Sequence, residues 1–266
     1  MRRLMAVPAV VGVVVAVIAG CSSTSSPPPS SSRSSSTSSA APASASSPSA
    51  TSSSSASSSS KQADDPLPDP AALLKESSKS TKDLKSAHLA LSVTGKIAEM
   101  PVKTLGGELT TQPGAAAQGD AKITIMGADV GIKFVEFDRR MYASLPGGAW
   151  RDYGPTSQVY DVAAILNPDT GLANLLSDFI DPKAEARETV DGQETIRVSG
   201  KVTADAVNKI VPLDASKKMS TTVWIQESGD HQLVKAKLEP SKDNAIEMVL
   251  SNWNVPVTID KPTTGP

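Results

Sequence analysis

The chain has 266 residues, a formal net charge of −2 at neutral pH, and only three Trp, three Tyr and three Phe. Nothing in that balance supplies the basic footprint of a nucleic-acid binder. A single cysteine excludes a disulfide within the chain, and two histidines leave little material for a metal centre or a catalytic imidazole.

The first element is a leader. Met1-Arg2-Arg3 is positive, and the run 4–18 that follows is almost wholly apolar. These are the charged and hydrophobic regions of a secretory signal. The apolar run of about 15 residues falls short of the roughly 20 that a membrane-spanning helix needs, the alternative reading of such a stretch. Ile18-Ala19-Gly20-Cys21 resembles a bacterial lipobox, in which the cysteine thiol receives a diacylglycerol and the chain is cut in front of it. Two or three acyl chains make a stable anchor, because each buried methylene contributes about 0.8 kcal/mol. Residues 1–20 are therefore expected to be a lipoprotein signal peptide, and Cys21 a lipidation site on the periplasmic side of the inner membrane, with the cell wall as a further location.

Residues 21–66 form the next segment. Of the 39 residues in 22–60, 24 are serine, joined only by alanine, proline, threonine and Arg33. Such a composition has almost no apolar surface to offset the entropy of ordering, so a disordered tether is expected, with O-glycosylation as an alternative use of its hydroxyls. The folded domain then spans 67–262, long enough for one domain with a sizeable core, and 263–266 is a short tail.

Asp69-Pro70 offers a cap and a first-turn proline for a helix in which Leu73, Leu74, Ser77, Thr81 and Leu84 recur at helical spacing. Alternation at period two takes over from His88. Leu89, Leu91 and Val93 share one face, 102–111 reads as the partner strand, and Ala121, Ile123 and Ile125 alternate with Asp120, Lys122 and Thr124. Beyond a turn expected at Gly127-Ala128, Val130, Ile132 and Phe134 continue the dry face, as do Met141, Ala143 and Leu145. A helical insert is expected over 161–166 and 170–180, stopped by Pro182. Strands resume at 184–190 and 195–201 around the Asp191-Gly192 turn. A helix over 204–211 and strands at 221–226, 233–238 and 245–253 complete the chain.

Strands arriving in runs, with helices grouped between them, specify an α+β fold: a large curved antiparallel sheet carrying its helices on the concave face. The scarcity of aromatic rings leaves two outcomes for that face, a thin closed core or an apolar cavity, and composition by itself favours the thin core.

Long stretches then carry a resemblance: "ILNPDTGLANLL" (165–176), "DGQETIRVSGKV" (191–202), "TTVWIQESGDHQLVKAKL" (221–238), "LSNW" (250–253), and also "SAHLALSVTGKI" and "TLGGELTTQP". They resemble the mycobacterial lipoprotein family that includes LppX, LprA, LprF and LprG, nearest to its lipoarabinomannan carriers, over almost the whole folded domain. The resemblance implies a half-barrel whose helices enclose an apolar cavity. It implies binding of acylated lipids and glycolipids (triacylglycerol, phosphatidylinositol mannosides, lipomannan and lipoarabinomannan). It also implies their transfer from the inner membrane toward the outer envelope, with a major-facilitator transporter as partner. Ala121 matches a small cavity-lining position of the family, the alternative being an ordinary packed core residue. Leu89, Leu91, Val93, Ile123, Ile125, Val130, Ile132 and Phe134 are further candidates, chosen by face alone.

Catalysis finds no support in motifs. The chain has no G-x-S-x-G elbow, no H-E-x-x-H and no glycine-rich phosphate loop, and no cofactor or metal is expected. Two readings remain: a lipid carrier, or a scaffold lipoprotein that positions an envelope transporter or a cell-wall enzyme.

Overall fold

The computed structural model describes residues 65–97 and 100–265, so the expected signal peptide, Cys21 and most of the expected tether lie outside the described residues. Helix α1 (Pro70–Lys82) begins where Asp69 accepts the Ala72 N–H at 2.7 Å, and Pro70 occupies a position where an N–H is not needed. Its buried side is Leu73, Leu74, Ser77 and Thr81.

Strands β1 (Ser86–Thr94), β2 (Val102–Thr110), β3 (Ala116–Ile125), β4 (Ala128–Phe137), β5 (Arg140–Ser144) and β6 (Arg151–Pro155) precede the helical insert. Strands β7 (Ile180–Val190), β8 (Gln193–Val202), β9 (Met219–Gln226), β10 (Leu233–Ser241) and β11 (Asn244–Ser251) follow it. All pair antiparallel in one sheet, in the order β6-β5-β4-β3-β2-β1-β11-β10-β9-β8-β7. The chain thus meanders outward to one edge, crosses through the insert to the other, and returns, so that β1 and β11 meet in the middle. The α+β fold, a curved open sheet with helices packed on its inner face, is the one expected.

The insert is tighter than its periodicity suggests. Ala163–Leu166 is a 3₁₀ turn, and α2 (Leu172–Ser177) is only six residues long. Ile180, expected at the end of that helix, opens β7 instead. Pro182 does not act as a helix stop but sits at an irregularity of this edge strand, where a missing N–H breaks no central ladder. Helix α3 (Ala204–Asn208) is likewise shorter than expected, and β6 has no counterpart among the expected strands.

One line of directly paired residues crosses nine strands on the inner face: Ala184, Val198, Val223, Ala236, Met248, Leu91, Leu105, Ala121 and Ile132. Every member is apolar, as pairing of equivalent pleat positions requires on a dry face. Exposure is 0% at Val198, Val223, Ala236 and Met248, 2% at Leu91, 4% at Leu105 and 8% at Ala121, while Ile132 is half-buried. The line is therefore fully packed in the middle of the sheet and loosens toward both ends, at half-buried Ala184 and, progressively, from Leu105 to Ile132.

Leu172, Leu175 and Leu176 of α2, with Ile165 and Leu166, are almost fully buried in the same cluster as Leu89, Ile196 and Ile225, and that cluster continues to Leu105, Ala121 and Phe134. Burying such side chains contributes roughly 1.5–3 kcal/mol each. The outer face is not uniformly wet either. Val135 and Tyr142 join Ala116 and Ile259 in a second small cluster, so the segment after β11 covers part of the outer face of β3–β5.

An apolar hollow under a pinned roof as the candidate functional site

A cavity of about 270 Å³ lies over the loosened end of that line, from Leu105 to Ile132. Its floor is the inner face of β2–β5, contributing Leu105, Ala121, Ile132, Phe134 and Met141, and its roof includes Val159, Tyr160 and Val162 from the segment after β6. Ala121 stands directly between Leu105 and Ile132, where a small side chain leaves volume that a leucine would fill.

Five of the candidate residues, Ala121, Ile123, Ile125, Ile132 and Phe134, line this cavity. The other four do not: Leu89 and Leu91 are buried in the main core and Val93 packs against it, away from the lining, and Val130 lies beside Ile123 without reaching it. Choice by face alone correctly selects the dry side of β1 and β4 but is blind to where helices fill it. Phe134 is 3% exposed and Ile125 45%, which places them deep in the hollow and at its mouth respectively.

Three hydrogen bonds hold the roof. Glu136, which follows Phe134 on the inner face of β4, accepts the Ala163 N–H at 3.0 Å through Oε2. Asp161 accepts the Ala164 N–H at 2.8 Å, and the Tyr160 hydroxyl donates to the Ile210 carbonyl at 3.1 Å. Burial pushes the Glu136 carboxyl up to about 8, against the Ala163 N–H, which favours the charged form, and the neighbouring Asp161 raises it further. Burial also pushes the Tyr160 hydroxyl up, reinforced by Asp161 and Glu136. Both shifts favour the neutral form, the direction a dry site imposes on a polar group. The sequence reading missed Glu136. Its signal was a carboxylate in register with Ile132 and Phe134 on a face otherwise apolar.

A wider groove of about 740 Å³ is lined by Ser216, Lys217, Lys218, Ser241 and Lys242 with Leu213 and Ile97. Its charged walls suit water rather than acyl chains. Among the described residues no group of three or more His, Cys, Asp and Glu side chains is placed to hold a metal ion. His88 pairs with Glu108 at 2.7 Å, and His231 contacts the Gln226 carbonyl, with neither in the cavity.

Apolar walls and a small residue at the floor leave a hollow that suits hydrocarbon better than a charged group. At about 270 Å³ the cavity lies just below the ~300–1,000 Å³ usual for small-molecule sites, so it has room for one apolar segment.

The model of the LppX_LprAFG lipoprotein family matches residues 69–259. The lipoarabinomannan carrier protein LprG of Mycobacterium tuberculosis is 51% identical over 198 residues, covering 74% of this chain and 84% of its own length. The same-named protein of Mycobacterium leprae is 51% identical over 199 residues, with the same shares covered. The crystal structure of LprF from Mycobacterium bovis superposes with a TM-score of 0.68 at 30% identity, covering 75% of this chain and 99% of that one. That of LppX from Mycobacterium tuberculosis gives a TM-score of 0.58 at 26% identity, covering 72% and 98%.

Proposed function

Because this chain belongs to the LppX_LprAFG lipoprotein family, we propose that it is a carrier of acylated lipids that holds their hydrocarbon in the cavity under the Val159–Val162 roof. The observation that carries the reading is the apolar hollow itself, floored by Ala121 and backed by Glu136, which holds the roof through the Ala163 N–H. A lipid at Cys21 anchors the chain to the periplasmic side of the inner membrane, and the segment 21–66 tethers the domain 67–262 to that anchor. The cargo belongs to the acylated lipids and glycolipids of a mycolate envelope, from triacylglycerol and phosphatidylinositol mannosides to lipomannan and lipoarabinomannan. It is received from a major-facilitator transporter and released toward the outer envelope. The chain turns nothing over, and its work is transfer.

Mass spectrometry of the chain purified from a mycolate-containing host tests this reading. Bound glycolipid or triacylglycerol is expected in the natural chain and a large loss of it in Ala121→Trp. A natural chain that emerges empty and transfers no lipid between vesicles overturns the reading. A folded, empty Ala121→Trp chain that still restores function in cells supports the scaffold instead.

A further inference from the structure

Six large apolar side chains are well exposed among the described residues, and five of them, Ile125, Met126, Leu145, Tyr153 and Val159, gather around one opening. Ile125, Leu145, Tyr153 and Val159 are each 45–54% exposed, and all four also line the cavity. Met126 adjoins Ile125 at the tip of the β3–β4 hairpin and is fully exposed. Apolar residues scattered singly over a surface need no explanation, but a contiguous patch does.

The hairpin tip shows that this placement goes against local preference. Met126 and Gly127 both have positive φ, 51° and 82°, the geometry of a tight two-residue turn. The β7–β8 hairpin makes the same kind of turn with Asp191 and Gly192, at 48° and 77°. Aspartate is a usual residue for that position because its short polar side chain tolerates the left-handed conformation. Methionine at the equivalent place has no local advantage and exposes a long apolar side chain. Residues that break a local rule without local compensation point to a use elsewhere.

The geometry points to this rim as the surface by which the domain docks on a lipid bilayer, with Met126 entering the acyl layer and the cavity opening directly onto it. The inference rests on the carrier reading. A bilayer is the fitting occupant because rim and interior form one continuous apolar surface, so a chain sliding between them exposes no methylene to water. The chain outside the described residues permits it as well. The segment between Cys21 and Asp65 can span up to roughly 140 Å if extended, so one bilayer can hold the anchor and receive the rim together.

A single-thiol probe tests the docking. In the lipidated full chain, where the acyl group occupies Cys21, Met126→Cys carries the one free thiol. Labelled there with nitrobenzoxadiazole and presented to phosphatidylcholine vesicles, it is expected to shift its emission to the blue and to be quenched by nitroxides on the acyl chains. The same label at Val255→Cys, the sixth exposed apolar position and one outside the cavity lining, is expected to do neither. No response at Met126, or equal responses at both positions, overturns the docking. Self-quenching of the Met126 label without vesicles assigns the rim to a second copy of the chain and overturns it too. Lipid bound in the same preparation with a silent Met126 label sinks the docking alone. A quenched label on a chain that binds no lipid supports the surface and sinks the carrier reading.

Discussion

Gly107 stands directly opposite Gly119 across the β2–β3 ladder, and neither position has room for a side chain. A Cβ at Gly119 would lie 2.0 Å from the Gly106 carbonyl oxygen, and one at Gly107 would lie 2.1 Å from that of Gln118. Paired glycines on the inner face let two strands bend and approach closely where the packed middle of the sheet gives way to the hollow. Gly119→Ala is accordingly expected to destabilise the fold by about 1–3 kcal/mol, the usual cost of overpacking. Gly106→Ala, where a Cβ meets nothing within 4 Å, is expected to be neutral or slightly stabilising. Equal denaturation midpoints for the two variants would refute this account of the bend.

The packed core and the hollow should respond differently to substitution. Leu175→Ala, in the packed core, is expected to cost about 2–5 kcal/mol, because the cavity it leaves cannot collapse. Ala121→Trp enters space that already exists, so its expected stability loss is smaller while bound lipid is lost. Urea titration with lipid extraction on the same samples checks the contrast. A larger stability loss from Ala121→Trp than from Leu175→Ala counts against a hollow at that site.

Glu136 gives the molecule a pH dependence whose sign is opposite to that of an ordinary paired carboxylate. Its folded value of about 8 lies above the usual 4.5, so between those limits the unfolded chain has lost the proton and the folded chain keeps it. Stability therefore falls as pH rises through that window and levels off above it. Glu136→Gln retains an acceptor for the Ala163 N–H without an ionisation. It is expected to gain on the order of a few kcal/mol over the natural chain at pH 8 and little at pH 4. Melting curves at the two pH values decide, and a variant with the natural chain's pH slope contradicts the assignment.

Tyr160 ties the roof to the segment after α3 through the Ile210 carbonyl. Tyr160→Phe removes that bond and leaves a carbonyl without its partner, at an expected cost of about 1 kcal/mol. A looser roof is expected to exchange cargo faster. Stopped-flow displacement of a fluorescent fatty acid measures it, and an unchanged release rate argues that the roof does not gate the cavity.

Local chemistry made much of the fold legible. Asp69-Pro70 starts α1 and Asp191-Gly192 turns β7 into β8 because capping and left-handed turns depend on residues within three positions of one another. Alternation identified the inner face of β1, β3 and β4 for the same reason: the pleat repeats every two residues whatever lies opposite. Leu89 and Phe134 illustrate where that reading stops. Both are apolar, inward, almost fully buried and members of one core cluster, yet Phe134 also lines the hollow and Leu89 does not. No local pattern distinguishes them, because the difference is made by what crosses above.

By itself, then, the sequence determined the curved antiparallel sheet and the dry side of that sheet, both of which follow from short-range periodicity. Only the tertiary structure decided which part of the dry side stays empty. It also decided that Glu136 is buried against the Ala163 N–H, and that Ile125, Leu145, Tyr153 and Val159 converge on one mouth. Those outcomes depend on contacts between residues far apart in the chain, and the space between packed elements is a property of their arrangement that no single stretch carries.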